Sequence, residues 1–450
     1  MSTSSDQNTA FQPPYPLTNA VEANYTYMAS LKDWFRQFRL SDEYVESQVL
    51  SILPFFPESD GKRVAKIINT PISNNNFIHE FCVDNVESEV SALPDGVKDI
   101  VLIHGYAASL GLFFSNFDAL SSIPGVRVHA IDLLGFGFSS RPDFPSFKSD
   151  TVEDVMKVED WFIDSIEEWR AKRNITNFVL MGHSFGGYLS SCYALKYNKP
   201  QENGKNLINK LVLVSPVGVE RNRYSLLKDI PNPFVDDTEL NRQNTNTQGP
   251  HVEDELLKDQ STLTGHHINP DYKHINMDNS EPETLSRRMK FLIFLWKRNI
   301  SPFSIVRGLG PFRSKLIGRW TTRRFSDVYA EDADYYQHIH DYFYRTFNGK
   351  GSGEYAITRV LDVGAVPKLP LMDRLPMYLT KKKVPTLWLY GDHDWMNVEA
   401  GQEIVKEINN IANKDLARFS LIPSAGHHLY LDNPGVFHSV VLKFLKAKLT

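Results

Sequence analysis

Short apolar runs that alternate with helical patterns constrain the fold of this chain more than any other feature. The runs are rich in Val, Ile and Leu and end at turn residues, as strands buried on both faces of a sheet do. Helical patterns separate most of them, for example residues 152–173 and 185–197. The strand-like runs cover residues 77–83, 99–104, 126–132, 177–181, 210–214, 385–390 and 419–422. This alternation predicts an α/β fold with a doubly wound, mostly parallel sheet.

The alternation stops between residues 220 and 383, where no run of this type occurs. We interpret this interval as a large helical lid insertion that divides the core into a first part, 77–219, and a second part, 384–450. The beginning of the insertion, residues 225–283, is rich in Asn, Asp, Gln and Thr and predicts a polar loop. Residues 1–76 are expected to form an N-terminal extension with a polar tail and amphipathic helices.

Within residues 21–40, apolar side chains recur at helical spacing against basic ones. The apolar set is Tyr27, Leu31, Trp34, Phe35 and Phe38, and the basic set is Lys32, Arg36 and Arg39. Two interpretations of this helix remain open. Its apolar side packs on the core, or it lies on a membrane interface.

The segment Met181–Gly187 reads MGHSFGG and lies between an apolar run and a helical one. This is the setting in which a G-x-S-x-G turn exposes a serine hydroxyl at the end of a strand. Gly182 and Gly186 allow the sharp turn, and Gly187 allows close packing beneath it. A glycine-rich turn with an incidental serine is the alternative, but the strand-to-helix setting predicts that Ser184 is a nucleophile.

A serine hydroxyl needs a base that takes its proton and a carboxylate that orients the base. His427 follows the last strand-like run, where a loop would present it above the sheet, and its neighbour His428 is the alternative. Asp394 follows the preceding strand in YGDHDW, and Asp392 is the alternative, with turn formation as its other role. We therefore predict that Ser184, Asp394 and His427 are the catalytic residues.

The oxyanion of a tetrahedral intermediate needs fixed donors, normally the N–H after the nucleophile and one from the loop after an early strand. These would be the backbone N–H groups of Phe185 and Tyr106. His104 and Gly105 end the strand at 99–104, so Tyr106 should lie at the same edge of the sheet. A histidine at this position is expected to brace the loop and to take no part in proton transfer.

Asp432 lies five residues after His427, an H-x4-D spacing that is sometimes read as an acyltransferase signature. Asp432 and Asn433 also precede Pro434 and a helical run, which is a common arrangement at a helix N-cap. We favour capping for Asp432 and keep His427 with Asp432 as a candidate acyltransferase motif.

Composition excludes several classes of function. The net charge of −5 is small for 450 residues and predicts no nucleic-acid partner. Two cysteines, Cys82 and Cys192, are too few for the disulfide framework of a secreted protein, so an intracellular location is expected. Three histidines in the polar loop lack the spacing of metal ligands, and neither a metal nor a cofactor is expected; they are His266, His267 and His274.

One local segment is strongly basic. Residues 287–324 carry eleven Lys or Arg and no Asp or Glu, interleaved with aromatic and aliphatic residues. This combination predicts peripheral docking on anionic phospholipid, with packing as a lid or pairing with the preceding loop as alternatives. The candidate lipid contacts are Arg313, Lys315, Arg319 and Arg323.

Several segments together resemble one subfamily of α/β-hydrolases. It contains fungal cardiolipin-specific deacylases and lysophosphatidic acid acyltransferases, and animal lysophospholipases that act on N-acyl phosphatidylethanolamine. The resemblance implies a lipid substrate, a capping lid and intracellular membranes, often mitochondrial in fungi, with cytoplasm or lipid droplets as alternatives. The matching segments are HGYAASLGLFFSNFDAL (104–120), AIDLLGFGFSSRP (130–142), SIEEWR (165–170), GHSFGGYLSSCYALKY (182–197), YGDHDWM (390–396) and GHHLYLDNP (426–434).

The expected function is therefore serine-dependent release of a fatty acid from a phospholipid through an acyl-enzyme, on a cardiolipin or lysophospholipid type of substrate. Acyl transfer from acyl-CoA to lysophosphatidic acid is the alternative, because it uses the same acyl-enzyme with an alcohol as acceptor. A membrane-bound regulator of another lipase is an alternative of a different class. Ser184 argues against that role, because some relatives with that role lack the serine.

Overall fold

The structure is a computed structural model that describes residues 26–201, 204–222, 224–227 and 293–448. An eight-stranded sheet runs through it in the order β1-β2-β4-β3-β5-β6-β7-β8. The strands are β1 Arg63–Ile72, β2 Asn76–Asn85, β3 Asp99–Ile103, β4 Arg127–Ile131, β5 Phe178–His183, β6 Ile208–Val214, β7 Thr386–Gly391 and β8 Ala417–Ile422. The six strands β4, β3, β5, β6, β7 and β8 are parallel to their neighbours in this order, whereas the pairs β1–β2 and β2–β4 are antiparallel. The predicted α/β class and mostly parallel sheet are confirmed.

Helices cover both faces of the sheet, which is why the central strands are mainly apolar. Every residue of β3, β5 and β7 is buried. Two large apolar clusters lie on the two faces of these strands. The described helices are α1 Tyr27–Gln37, α2 Asp42–Leu50, α3 Phe117–Ser121, α4 Val152–Lys172, α5 Phe185–Tyr197, α6 Pro302–Gly308, α7 Arg313–Arg324, α8 Ser326–Glu331, α9 Ala333–Asn348, α10 Ile357–Val360, α11 Leu375–Lys382, α12 Val398–Ala412, α13 Leu429–Asp432 and α14 Pro434–Lys446. None of these described helices has the length and apolar character needed to cross a bilayer.

The N-terminal boundary at residue 76 is wrong, because β1 belongs to the sheet. β1 pairs along its whole length with β2, from Arg63 opposite Asn85 to Ile72 opposite Asn76. It is an edge strand with mixed burial, so its sequence RVAKIINTPI lacks the apolar run by which the inner strands are recognised. The core therefore begins near residue 63.

The lid insertion is helical, as predicted, but it ends earlier than residue 383. The backbone N–H groups of Leu371 and Met372 donate to the carbonyls of Gly218 and Val219, at 2.9 and 3.1 Å. The helix that follows, α11, packs on α12 and α5 and so belongs to the core. The described part of the lid includes helices α6 to α10. The predicted polar loop lies outside the described residues, except for 225–227.

The predicted helix at 21–40 is described from residue 26 onward as α1, and α2 follows it. Thr26 caps α1 by accepting a hydrogen bond from Ala29 N–H at 3.1 Å, and Ser41 caps α2 by accepting one from Tyr44 N–H at 3.2 Å. The predicted apolar contact of α1 with the core is confined to Trp34, which is partly buried against it. The buried residues of this helix are Ser30, Asp33 and Gln37, all of them polar.

Candidate active site

Ser184 lies at the sharp turn between β5 and α5. Its backbone is strained, with φ 53° and ψ −119°. The turn is too tight for side chains, because a Cβ at Gly182 would lie 2.3 Å from the carbonyl oxygen of Gly186. A Cβ at Gly186 would lie 2.4 Å from the carbonyl oxygen of His104, so the loop after β3 passes directly beside the serine. The local sequence thus places Ser184 at the carboxyl edge of the sheet.

His427 is bonded to Asp394 at the same edge. Its Nδ1 lies 3.1 Å from Asp394 Oδ1. Asp394 Oδ1 also accepts a hydrogen bond from Met396 N–H at 3.1 Å, and its Oδ2 accepts one from the Ser215 hydroxyl. Burial by itself raises the pKa of Asp394, but the charge of His427 and these hydrogen bonds outweigh it and hold the pKa below its ordinary value. The carboxylate is therefore ionised and orients the imidazole.

The two alternatives, Asp392 and His428, occupy different positions. The carboxylate of Asp392 accepts hydrogen bonds from the N–H groups of Ser424 and Ala425, both at 2.9 Å, and so holds the loop that carries His427. His428 faces the same cavity, but burial and the nearby charge of Arg324 lower its pKa well below the ordinary value. This geometry favours Asp394 and His427 over their neighbours.

The predicted oxyanion donors, Tyr106 and Phe185, both line the cavity beside Ser184. A Cβ at Gly105 would lie 3.0 Å from the Cβ of Ser184, which shows how closely this loop approaches the serine. Phe185 is the first residue of α5, where a backbone N–H has no acceptor within the helix.

His104 braces the same loop. Its Nδ1–H donates to the carbonyl of Gly105 at 2.8 Å, and its Nε2 accepts from Leu133 N–H at 3.0 Å. Both bonds require a neutral ring, and burial lowers the pKa of His104 to about 4. His104 is thus a neutral support of the oxyanion loop.

The cavity over Ser184 is apolar and has a volume of about 110 Å³. The core provides its polar end, which includes Ser184, His427 and His428. The lid provides the opposite wall, with Pro302, Phe303, Trp320, Phe347, Ile357, Leu361 and Ala365. Such a cavity can accept an apolar group beside the serine.

Asp432 does not cap α14, so that prediction is wrong. The cap is Asn433, whose side-chain oxygen accepts a hydrogen bond from Val436 N–H at 3.3 Å. Asp432 instead accepts a hydrogen bond from Gly426 N–H at 2.9 Å and forms a 2.8 Å ion pair with Arg324 of the lid. Asn433 therefore makes the cap that was predicted for Asp432. Asp432 is the last residue of α13, and its side chain bonds to Gly426 in the loop that carries His427.

The basic lid segment is partly used in internal contacts, and its residues 287–292 lie outside the described range. Arg313 donates to the carbonyls of Gly310 and Arg307 and to the side chain of Asn348, at 2.9 to 3.1 Å. Arg313 therefore stabilises the lid, and its contact with lipid stays a prediction. Lys315 and Arg319 are partly exposed and Arg323 is exposed.

Two buried clusters have the composition of a metal site, namely Glu80 with Cys82 and His129, and Asp33 with His340 and Asp341. Each already contains a cation from the protein. Arg173 lies 2.9 Å from Glu80, and Arg36 lies 2.8 Å from Asp33. Ion pairs between side chains account for both clusters.

The sequence analysis missed three residues at the site: Ser215, Trp395 and Arg324. Ser215 follows β6 directly, and the rule that the carboxyl ends of parallel strands share one edge could have drawn attention to it. The ring of Trp395 lies 4.9 Å from that of His427 and lines the cavity. Nothing in the sequence distinguishes Arg324 from the other basic residues of its segment.

Comparison with known proteins identifies the family of the chain. The family model of the α/β-hydrolase fold matches residues 99–434. A probable 1-acylglycerol-3-phosphate O-acyltransferase of Oryza sativa subsp. japonica is 35% identical over 360 residues, 78% of this chain and 69% of that protein. Protein ECM18 of Saccharomyces cerevisiae is 33% identical over 378 residues, 77% of this chain and 70% of that protein. A (lyso)-N-acylphosphatidylethanolamine lipase of Mus musculus is 26% identical over 400 residues, 88% of this chain and 89% of that protein.

These relatives confirm the resemblance to the lysophospholipase and acyltransferase subfamily that the motifs indicate. The family match covers most of the chain and includes Ser184, Asp394 and His427. The chain belongs to the α/β-hydrolase family.

Proposed function

We propose that this chain is a serine-dependent lipid acyl hydrolase that releases a fatty acid from a phospholipid. The observation that carries the proposal is the position of Ser184 on its strained turn, in one apolar cavity with an imidazole bonded to a buried carboxylate. Three residues then act in sequence: Ser184 as nucleophile, His427 as general base and acid, and Asp394 as the group that orients the imidazole.

In the first step, Ser184 Oγ attacks the ester carbonyl carbon while His427 takes the hydroxyl proton. The backbone N–H groups of Tyr106 and Phe185 stabilise the oxyanion. The ester C–O bond then breaks, His427 returns the proton to the leaving alcohol, and the fatty acyl group stays on Ser184. In the second step His427 takes a proton from water as the water attacks the acyl carbon. The bond to Ser184 Oγ then breaks, His427 returns the proton to Ser184, and the fatty acid leaves.

The substrate class follows from the apolar cavity and from the relatives. A lid wall of aromatic and aliphatic side chains fits the acyl chain better than a polar group. The cavity of about 110 Å³ is smaller than the roughly 300–1,000 Å³ of drug-sized ligand pockets. A phospholipid such as cardiolipin or a lysophospholipid therefore enters with displacement of the lid helices. Peripheral membrane association and an intracellular location, mitochondrial by resemblance, are part of this proposal.

A second candidate function is acyl transfer to lysophosphatidic acid, because two relatives carry that activity in their names, at 35% and 34% identity. The chemistry differs only at its two ends. Acyl-CoA would supply the acyl group with release of its thiol, and the hydroxyl of the lysolipid would replace water as acceptor.

The test is to incubate purified protein with acyl-labelled phospholipids and, separately, with acyl-labelled acyl-CoA and lysophosphatidic acid, beside a Ser184→Ala control. Labelled free fatty acid that is released from the phospholipid and depends on Ser184 supports hydrolysis. Label that passes from acyl-CoA into a new phospholipid supports acyl transfer. Absence of both activities in wild-type protein that binds membranes would contradict both and favour a regulator of another lipase.

A further inference from the structure

Helix α1 is oriented with its apolar side outward. Its buried residues are polar, whereas four large apolar side chains face solvent. Their exposed fractions are 67% for Tyr27, 61% for Met28, 57% for Phe35 and 69% for Phe38. A helix on a globular protein normally buries its apolar stripe, so this orientation has a cost that another contact must offset.

Specific polar contacts fix this orientation. Asp33 Oδ2 lies 2.9 Å from His340 Nε2, and Arg36 forms an ion pair with Asp341, both partners being in lid helix α9. The side-chain N–H of Gln37 also donates to Asp341, at 2.8 Å. These buried groups would lose their partners if the helix turned its apolar side inward, so the outward orientation is built into the fold.

The exposed side chains of α1 continue onto the lid. Phe312, which is 52% exposed, meets the ring of Tyr27 edge-on with centroids 5.5 Å apart. We define the outer α1 surface as the five side chains Tyr27, Met28, Phe35, Phe38 and Phe312. Positive charges border it: Lys315 Nζ lies 4.0 Å from the centroid of the Tyr27 ring, and Lys32 on α1 and Arg39 just after it are exposed.

We propose that the outer α1 surface docks this protein on a bilayer that contains anionic phospholipid. The inference rests on the proposed function and names the surface that brings the enzyme to its lipid. Aromatic side chains with a cationic border suit the interface, where the rings enter the acyl boundary and the cations meet phosphates.

Charge complementarity favours a bilayer over a second copy of the chain as the occupant of this surface. A twofold contact between two outer α1 surfaces would bring the bordering Lys32, Arg39 and Lys315 of both copies toward one another, and none of the five side chains that define the surface is acidic to offset them. An anionic bilayer supplies the opposite charge.

The docking surface is connected to the candidate active site through one lid helix. The Ser30 hydroxyl accepts a hydrogen bond from Lys315 N–H at 2.9 Å, near the start of α7, and Trp320 of the same helix lines the cavity over Ser184. Docking therefore places the lid, and not the opposite face of the sheet, against the lipid.

The experiment measures co-sedimentation of full-length Ser184→Ala protein with phosphatidylcholine vesicles, with and without phosphatidate. Ser184→Ala prevents substrate turnover during the measurement. Phe35→Ser with Phe38→Ser should weaken binding to the phosphatidate vesicles by about tenfold or more, because two exposed rings are lost from the interface. The matched control is Val86→Ser with Val90→Ser, which removes two exposed apolar side chains elsewhere, 53% and 75% exposed, and should bind as the parent does.

A fluorescent label tests insertion directly. Cys82 and Cys192 are buried, so an environment-sensitive probe can be attached at Phe38→Cys alone and compared with one at Val90→Cys. Only the probe at position 38 should report an apolar environment when phosphatidate vesicles are added. The proposal is wrong if the Phe35 and Phe38 variant binds these vesicles as its parent does, or if binding does not depend on phosphatidate.

A self-association outcome is also distinguishable. If the probe at position 38 is apolar without vesicles, and the double variant converts a dimer to a monomer, the surface joins two copies and the proposal is wrong. Turnover of a short soluble ester, measured with Ser184 present, should be equal in the double variant and wild type. Failure of that activity in both would contradict the proposed function while leaving the docking result intact.

Discussion

Nη1 of Arg324 in the lid lies 2.8 Å from Oδ1 of Asp432, and the other oxygen of this carboxylate accepts the N–H of Gly426, next to His427. One side chain thus joins a lid helix to the loop that carries the imidazole. The H-x4-D spacing brings Asp432 close to His427 by this contact, and the geometry makes Asp432 a support of the loop. Such a support serves water and alcohol acceptors equally.

Replacement of Asp432 should therefore affect hydrolysis and acyl transfer together. Asp432→Asn keeps an oxygen for the Gly426 N–H and should lower kcat only a few fold, whereas Asp432→Ala loses both contacts and should cost about tenfold or more. Steady-state rates with a soluble ester and with a lysolipid acceptor measure the two activities. Loss of transfer with hydrolysis preserved would show that Asp432 has an acceptor-specific role.

A neighbouring variant controls for stability. Asn433→Ala removes the cap of α14 and should lower the free energy of unfolding by about 1 kcal/mol. Asn433 also donates to the carbonyl of Pro423 at 2.8 Å, but Asp432 keeps its bond to Gly426 in this variant, so kcat should stay near that of wild type.

Ser184→Ala should abolish turnover, by a factor on the order of 10⁴ to 10⁶ in kcat, while the fold is retained. The matched control is Ser191→Ala on the same helix, where the hydroxyl only donates to the carbonyl of Gly187 at 2.9 Å. Circular dichroism confirms folding, and release of labelled fatty acid measures activity. Full turnover by the Ser184 variant would rule out the nucleophile.

Substitutions of the two aspartates in the YGDHDW segment should have clearly different effects on kcat. Asp394→Asn leaves the geometry in place but favours the wrong tautomer of His427, and should reduce kcat by roughly 10⁴. Asp392→Asn keeps an acceptor for one of its two backbone N–H bonds and should lower thermal stability more than kcat. A larger loss of kcat for Asp392→Asn than for Asp394→Asn would reverse the assignment.

The fall of kcat/KM on acidification should reflect protonation of His427. A protonated His427 cannot take the serine proton, so kcat/KM should fall with uptake of one proton when the assay is acidified from roughly pH 8 to pH 5. Burial favours the neutral acid, yet the charge of His427 and the hydrogen bonds to Asp394 keep its pKa below the ordinary value. Asp394 therefore stays ionised through this range and adds no second proton.

His428→Gln tests the same profile. Burial and the charge of Arg324 lower the pKa of His428 well below its ordinary value, so this ring is neutral across the measured range. In this variant kcat/KM should still fall with uptake of one proton, and the midpoint of the fall should lie at the same pH as in wild type. A profile that shifts or disappears would identify His428 as the base.

Much of the fold could be predicted because its signals are local. The inner strands are contiguous apolar runs, and α4 and α5 end within a residue of their predicted limits, at Lys172 and Tyr197. The turn around Ser184 is also local, since two glycines and a serine between strand and helix define it. The edge strand β1 was not predicted, because one exposed side and antiparallel pairing leave it with a sequence of mixed apolar and polar residues.

The sequence by itself determined the α/β class, the position of Ser184 at a strand end, and the order in which a carboxylate and a histidine follow it. Each of these depends on residue type and spacing within a short segment. Tertiary structure alone placed Asp394 against His427 and Ser215, moved the cap from Asp432 to Asn433, and paired Asp432 with Arg324. It also turned the apolar side of α1 outward. Periodicity shows that a helix has two faces, but which face is buried depends on whether distant groups such as His340 and Asp341 can satisfy the polar one.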